Sequence, residues 1–220
     1  MPDRLFEYPE VNLKVMLPDN AETATHLHTI IKELYREGEY EALDVKGRVV
    51  LDIGAYLGET AIYFERKGAE RIIAIEPMAT FDYIARNAEI NNAGAKILPV
   101  RGYVGPELHG VDISFANNGA SRIREGEASV RRYTLKELIA EFAIPKGSVL
   151  KIDVEGSEYR FFAEAGDDDF RQFSQIAAEI HWDPGHDKDM PANRLIAAGF
   201  EVTSRREYSG TWILQARLKA

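Results

Sequence analysis

Residues 49–53 read VVLDI, apolar and β-branched around a single acid, the pattern of a strand covered on both faces. Two similar runs follow at 71–76 (RIIAIE) and 96–100, and the stretches between them, about 59–67 and 79–91, have helical apolar spacing. Gly54 and Gly58 bracket the first strand–helix junction, and Gly68 stops the first of these helices. Strand, helix, strand, helix, strand predicts right-handed crossovers and a parallel sheet, hence an α/β fold. The rhythm breaks at about 105–133, where residues 111–116 alternate like a strand, Asn117-Asn118-Gly119 is a turn signal and 130–133 looks extended. This predicts an inserted hairpin lobe. Thr134 and Glu137 form a capping box that opens a helix ending before Pro145. A fourth parallel strand is expected at 148–153 (SVLKID), a helix from about Ser157, a strand at 176–181 and a helix at about 192–198. Residues 200–204 and 211–217, joined by the turn-forming stretch 207–210, predict a terminal antiparallel hairpin. Ahead of all this, Pro2, Pro9 and Pro18 mark an irregular or strand-like arm. Asp19 with Glu22 opens a helix to about Glu37, with Leu27, Ile30, Ile31 and Leu34 on one face and Gly38 as its stop. The division expected is an arm and helix over 1–46 packed on a domain over 47–220.

Charge and composition narrow the classes of function. The 220 residues carry 27 Lys plus Arg against 36 Asp plus Glu, a net charge of −9, which argues against a nucleic-acid partner because phosphate contact needs a basic face. The absence of cysteine excludes disulfides, thiolate metal sites and cysteine nucleophiles. The longest apolar stretch, 195–200, is six residues, far below the ~20 that span a bilayer. The first residues lack a signal-peptide core, so the expectation is a cytoplasmic protein with no membrane span.

The sharpest local signal is VVLDIGAYLGET. A buried strand carries Asp52 near its end, Gly54 and Gly58 stand four apart, and a helix begins, so a ligand can approach the backbone at a helix N-terminus. Glu76 ends the next strand, 24 residues after Asp52, where a carboxylate accepts hydrogen bonds from both hydroxyls of a ribose. A dinucleotide turn wants glycine at position 56, but Tyr56 stands there and would crowd a pyrophosphate, which the acid Asp52 would also repel. A nucleoside cofactor carrying a cation and no phosphate fits better, and S-adenosylmethionine is such a cofactor. The alternatives are a nicotinamide-dependent oxidoreductase on the same scaffold, or a cofactor-binding protein without catalysis.

DIGAYLGET, AIEP and LKIDVEGSE together resemble the FkbM-type class I S-adenosylmethionine-dependent methyltransferases, over about residues 47–180. The resemblance implies a Rossmann-like sandwich with a mostly parallel seven-stranded sheet, closed by the C-terminal antiparallel hairpin and extended by an N-terminal helix. It implies that the strand ending at Asp153 lies between the cofactor strand and the one ending at His181. It also implies methyl transfer, commonly to a hydroxyl, here of a small molecule, glycan or lipid. By the match, Asp52 and Gly54, in the turn with Tyr56 and Gly58, hold the methionine end. Glu76 and Pro77 of AIEP stand at the ribose, Gly102 and Tyr103 flank the adenine, and Asp153 sits beside the methyl group. The chain departs from the pattern at Tyr56, where a small polar residue is expected, and in its Arg-rich insert.

The residues themselves agree with a reactive centre. Asp153 and Glu155 are two apart, as are Glu179 and His181 at the end of the neighbouring strand, so four ionisable groups can converge on one mouth. A carboxylate there favours a sulfonium and can take a proton from an attacking hydroxyl, and Asp153, Glu155 and His181 are the candidate catalytic residues. Two blander readings and one further functional one stand beside this. Glu155 and Glu158 suit the first turn of a helix, His181 suits a satisfied strand end, and Asp153, Glu155, Glu179 and His181 could hold a divalent metal. Spacing does not show convergence, and no metal is assigned. Trp182 and residues 183–186 follow directly as a candidate roof of the acceptor pocket, whereas His109 and His186 read as surface residues. Arg122, Arg124, Arg131 and Arg132 form either a solvated basic loop or a grip on an acidic acceptor. A base methyltransferase of nucleic acid is disfavoured, because Asp153-Val-Glu-Gly stands where an Asn-Pro-Pro or Asp-Pro-Pro element would be.

Overall fold

The structure, a computed structural model, describes residues 2–19, 21–112, 114, 123–208 and 211–219, and side chains there except those of 21–22 and 203–208. In chain order the strands are β1 (Asp3–Tyr8), β2 (Leu13–Pro18), β3 (Val49–Ile53), β4 (Arg71–Glu76), β5 (Ile97–Arg101), β6 (Ser148–Ile152), β7 (Phe173–His181), β8 (Phe200–Tyr208) and β9 (Thr211–Leu218). The helices are α1 (Ala21–Lys32), α2 (Glu59–Arg66), α3 (Phe81–Ile90), α4 (Leu135–Glu141), α5 (Glu158–Glu164), α6 (Asp167–Phe170) and α7 (Met190–Ala197).

Seven strands form one sheet in the order β5-β4-β3-β6-β7-β9-β8, parallel from β5 to β7 and antiparallel across β7, β9 and β8. The strand after β3 runs to one side and the strand after β6 to the other, so the order reverses between β3 and β6. Such a switch point opens a crevice at the carboxyl ends of the strands. Every residue of β3 and β6 is buried, which is why their sequences show no alternation. One face of the sheet packs Leu51, Ile53, Ile73, Leu150 and Ile152 against α4, α5 and α7; the other packs Val50, Ile72, Ala74 and Val149 against α2, α3 and the N-terminal elements.

The sequence places these elements closely, with three differences. The arm is a β1–β2 hairpin rather than irregular chain, and Asn87 ties it to α3 by accepting from Met16 N–H at 2.7 Å. The first helix changes to a π turn over Glu33–Glu37 before Gly38 caps it at φ 68°, and Asp19 of the expected capping box faces Arg4 at 3.4 Å. In the insert, Val111 makes a single bridge to Ala128 and Tyr103 one to Arg132, so no strand is assigned there among the described residues; the expected turn at 117–119 and Arg122 lie outside them. The Thr134–Glu137 capping box is present in full.

Candidate active site

The two central strands meet at the switch point. Gly54 follows β3 at φ +83°, and a Cβ built there would lie 1.6 Å from the Asp153 carbonyl oxygen, so only glycine lets the chain ends pass this closely. Asp153 N–H donates to Ile53 O at 2.9 Å, and Gly54 and Ala55 N–H both donate to Ile75 O. This knot opens into a cavity of about 360 Å³.

On the β3–β4 side the wall is Gly54, Tyr56, Glu76, Pro77 and Met78, continued by Gly102 and Tyr103 after β5. Glu76 is buried, and its two carboxylate oxygens accept from Tyr56 N–H at 3.0 Å and Met78 N–H at 2.9 Å. Those bonds fix the carboxylate at the strand end and leave its remaining lone pairs for a ligand. Burial pushes Glu76 up to about 7 even against those two bonds. Tyr56 sits in the left-handed region at φ 47°, its ring edge-on to His26 of α1 and its hydroxyl buried without a hydrogen-bond partner. Gly102 is required by its neighbour, because a Cβ there would meet the Tyr133 ring at 2.5 Å. Asp52 and Gly58 stand differently from the other expected cofactor residues. Asp52 is 0% exposed beneath the wall, and Gly58 packs on Ile84 of α3; neither lines the cavity.

What Asp52 does instead exposes a residue the sequence reading passed over. Lys151, the polar interruption of β6, is 2% exposed; its ammonium donates to Gly54 O at 2.7 Å and lies 3.2 Å from Asp52 Oδ1 and 3.7 Å from Asp153 Oδ2. Burial alone would drive the ammonium down, but the charges of Asp52 and Asp153 overcome it and hold it above the usual lysine value. Lys151 thereby pins Gly54 and Asp153 to one place. A charged residue inside an otherwise apolar strand was the available signal.

The acceptor side is built from β6, β7 and α1. Asp153, Glu155, Glu179 and His181 all reach the cavity, opposite His26, Ile30, Glu39 and Tyr40 of the N-terminal region. Glu158 is fully buried, and its Oε1 accepts from Val154 N–H at 3.1 Å and Gly156 N–H at 3.0 Å and faces His181 Nδ1 at 3.1 Å. An oxygen already accepting two N–H groups requires the imidazole proton on Nδ1, which turns Nε2 toward Glu155 Oε2 at 3.1 Å and Glu179 Oε1 at 3.9 Å. Glu158 is therefore an anchor for the loop and the imidazole, a role that its place in the first turn of α5 did not reveal. Burial favours a neutral imidazole, yet the bond and charge of Glu158, then Glu155, raise His181 to about 10. Burial, followed by the charge of Asp153, pushes Glu155 up to about 8 and Glu179 to about 9. The pocket is lined by the carboxyl groups of Asp153, Glu155 and Glu179 beside the basic groups of Lys151 and His181.

Two expectations for the acceptor side are corrected. Trp182 is 51% exposed and not on the cavity wall, so it does not roof the pocket, while His186 is exposed as expected and stacks on Tyr159 at 4.7 Å. Arg131 pairs with Glu141 at 2.7 Å, while Arg132 pairs with Glu164 and donates to Gly105 O. They brace the insert, and no arginine lines the cavity among the described residues.

The fit to S-adenosylmethionine rests on these features: a switch point where Gly54 lets the chain ends pass closely, a fixed acid at the ribose position, orphaned buried polar atoms at Tyr56 and Asp153, and a carboxyl-lined wall on the far side of Gly54. Fold and site together define a class I, S-adenosylmethionine-dependent methyltransferase domain. The model of the methyltransferase FkbM domain matches residues 52–202, and the chain belongs to that family. The hexuronic acid methyltransferase AglP of Haloferax volcanii is 32% identical over 117 residues, which are 50% of this chain and 46% of that protein. The match thus spans about half of the relative's own length. Among solved structures, Trm5b from Pyrococcus abyssi superposes with a TM-score of 0.54 at 14% identity, covering 98% of this chain and 55% of that one. A putative tRNA methyltransferase from Streptococcus pneumoniae, in complex with S-adenosyl-L-methionine, gives 0.52 at 17% identity, covering 83% and 72%. At such identities these two likenesses speak to the fold alone. Family membership removes the oxidoreductase alternative. No helix among the described residues is long and apolar enough to cross a membrane.

Proposed function

We propose that the chain transfers a methyl group from S-adenosylmethionine to a hydroxyl oxygen of a glycan or other small polyol. The observation that carries this is the meeting of a nucleoside-binding wall and a His–carboxylate cluster in one cavity, on either side of Gly54 and Asp153. The relative's hexuronic acid substrate supports the sugar class. The acidic walls and net charge of −9 support an acceptor other than nucleic acid.

S-adenosylmethionine supplies an electrophilic methyl on a sulfonium. The chain's own residues do the rest. Glu76 receives the ribose hydroxyls, Tyr56 and Pro77 flank that end, and Gly102 and Tyr103 border the adenine. Asp52 acts from beneath, through Lys151 and Gly54, as a positioning residue. An acceptor hydroxyl between α1 and the cluster of Asp153, Glu155, Glu179 and His181 is aligned for in-line attack. The new oxygen–carbon bond forms as the carbon–sulfur bond breaks, the sulfur leaves as a neutral thioether, and the hydroxyl proton passes to a group of the cluster. Incubation with methyl-labelled S-adenosylmethionine and a panel of neutral sugars, uronic acids and amino sugars tests the reading. Label in an ether oxygen supports it; label in a methyl ester, on nitrogen alone, or only in added tRNA, overturns it.

A further inference from the structure

We propose that Asp153, Glu155 and His181 form a divalent-cation site in the acceptor half of the cavity. The inference rests on the acceptor-pocket reading above and deepens it, since a cation there would orient an acceptor through a hydroxyl and an adjacent oxygen.

One ligand atom from each of Asp153, Glu155 and His181 lies within 4.8 Å of the others. Trans ligands on one ion at ~2.1–2.3 Å stand up to ~4.6 Å apart and adjacent ones ~3.0–3.3 Å, so the three side chains converge on one point and close further on binding an ion. Asp153 and Glu155 lie in the loop that follows β6, Glu155 at φ 50°, and His181 ends the neighbouring parallel strand β7, so the sequence spacing alone could not show that they converge. His181 is oriented as a metal-ligating histidine is: its Nδ1–H is held by the fully buried Glu158, and its Nε2 is directed at the carboxylates. A carboxylate behind the imidazole fixes tautomer and ring in such sites.

Two further observations call for a positive ligand. Asp153 Oδ1 is buried without a hydrogen-bond partner. In addition, the carboxyl groups of Glu39, Asp153, Glu155 and Glu179 share the wall with His181 and with the ammonium of Lys151, which is already engaged by Asp52 and Gly54. Two carboxylates and one imidazole make a hard donor set suited to Mn²⁺ or Mg²⁺ rather than a thiophilic ion. Glu179, 3.9 Å from Nε2, lies outside the triad.

The test is Mn²⁺ binding to the full chain, read by electron paramagnetic resonance and equilibrium dialysis. One saturable ion per chain is expected, weakened at least tenfold in Glu155→Gln and in His181→Gln. Glu158→Ala, which frees the imidazole, should weaken it ~10–100-fold. S-adenosylhomocysteine affinity, measured on each variant by calorimetry, certifies the fold and should stay near wild type. Glu76→Ala should do the reverse, losing the nucleoside and keeping Mn²⁺. If S-adenosylhomocysteine binds but Mn²⁺ does not, or Mn²⁺ binds equally to wild type and both triad variants, the cation site is overturned and the methyltransferase reading stands. If neither ligand binds, both fall.

Discussion

Glu76 is buried yet bound to act as an anion, and its behaviour with pH follows. Burial raises its carboxyl to about 7, so in the free protein the proton and the ribose hydroxyls compete for it. Affinity for S-adenosylhomocysteine should therefore be about tenfold weaker near pH 6 than well above pH 7, and Glu76→Gln should flatten that difference. For stability the sign is opposite: a raised acid stabilises the unliganded fold when protonated, and that contribution is lost as pH rises from about 4.5 through about 7. Lys151 offers a second residue-scale prediction. Lys151→Met leaves the fully buried Asp52 without its counter-charge, so urea unfolding should show a loss of ~3–5 kcal/mol. Asp153→Asn keeps the shape but removes charge and basicity, and turnover should fall ~10²–10⁴-fold with a much smaller change in cofactor affinity. Abolished cofactor binding with normal turnover of what remains bound would reassign Asp153 as a binding residue. Asp153, Glu155 and His181 were legible as candidates because they stand at or just beyond the ends of two predicted strands. Lys151 and Glu158 were not, because their work is done through other residues and only the contacts reveal it.

Among the elements, the β3–β6 junction carries the site. Gly54→Ala puts a Cβ into the Asp153 carbonyl, so the strand ends must separate, and cofactor binding should be lost along with much of the stability. Gly68→Ala is the matched control. It also has positive φ, +89°, but its nearest neighbour is Lys46 Cγ at 3.4 Å, and urea unfolding should show only the ~1–2 kcal/mol of a left-handed non-glycine residue. The parallel strands could be read from the sequence because burial on both faces makes them continuously apolar. The insert could not: its backbone is held by isolated bridges, and its Arg131 and Arg132 answer to Glu141 and Glu164, which lie on α4 and α5.

At the scale of the molecule, the cofactor wall lies within the family-matched residues 52–202, whereas His26, Ile30, Glu39 and Tyr40 of the opposite wall lie before them. Acceptor choice should follow that N-terminal wall. Ile30→Ala should change acceptor KM with S-adenosylhomocysteine affinity within ~0.5 kcal/mol of wild type. The central claim is that the switch-point cavity holds the nucleoside through Glu76, and titration calorimetry of S-adenosylhomocysteine against wild type and Glu76→Ala tests it most directly. One site per chain should appear in the wild type and weaken by ~1.5–3 kcal/mol in the variant. Equal affinity in the two proteins, or no binding to the wild type, would contradict it.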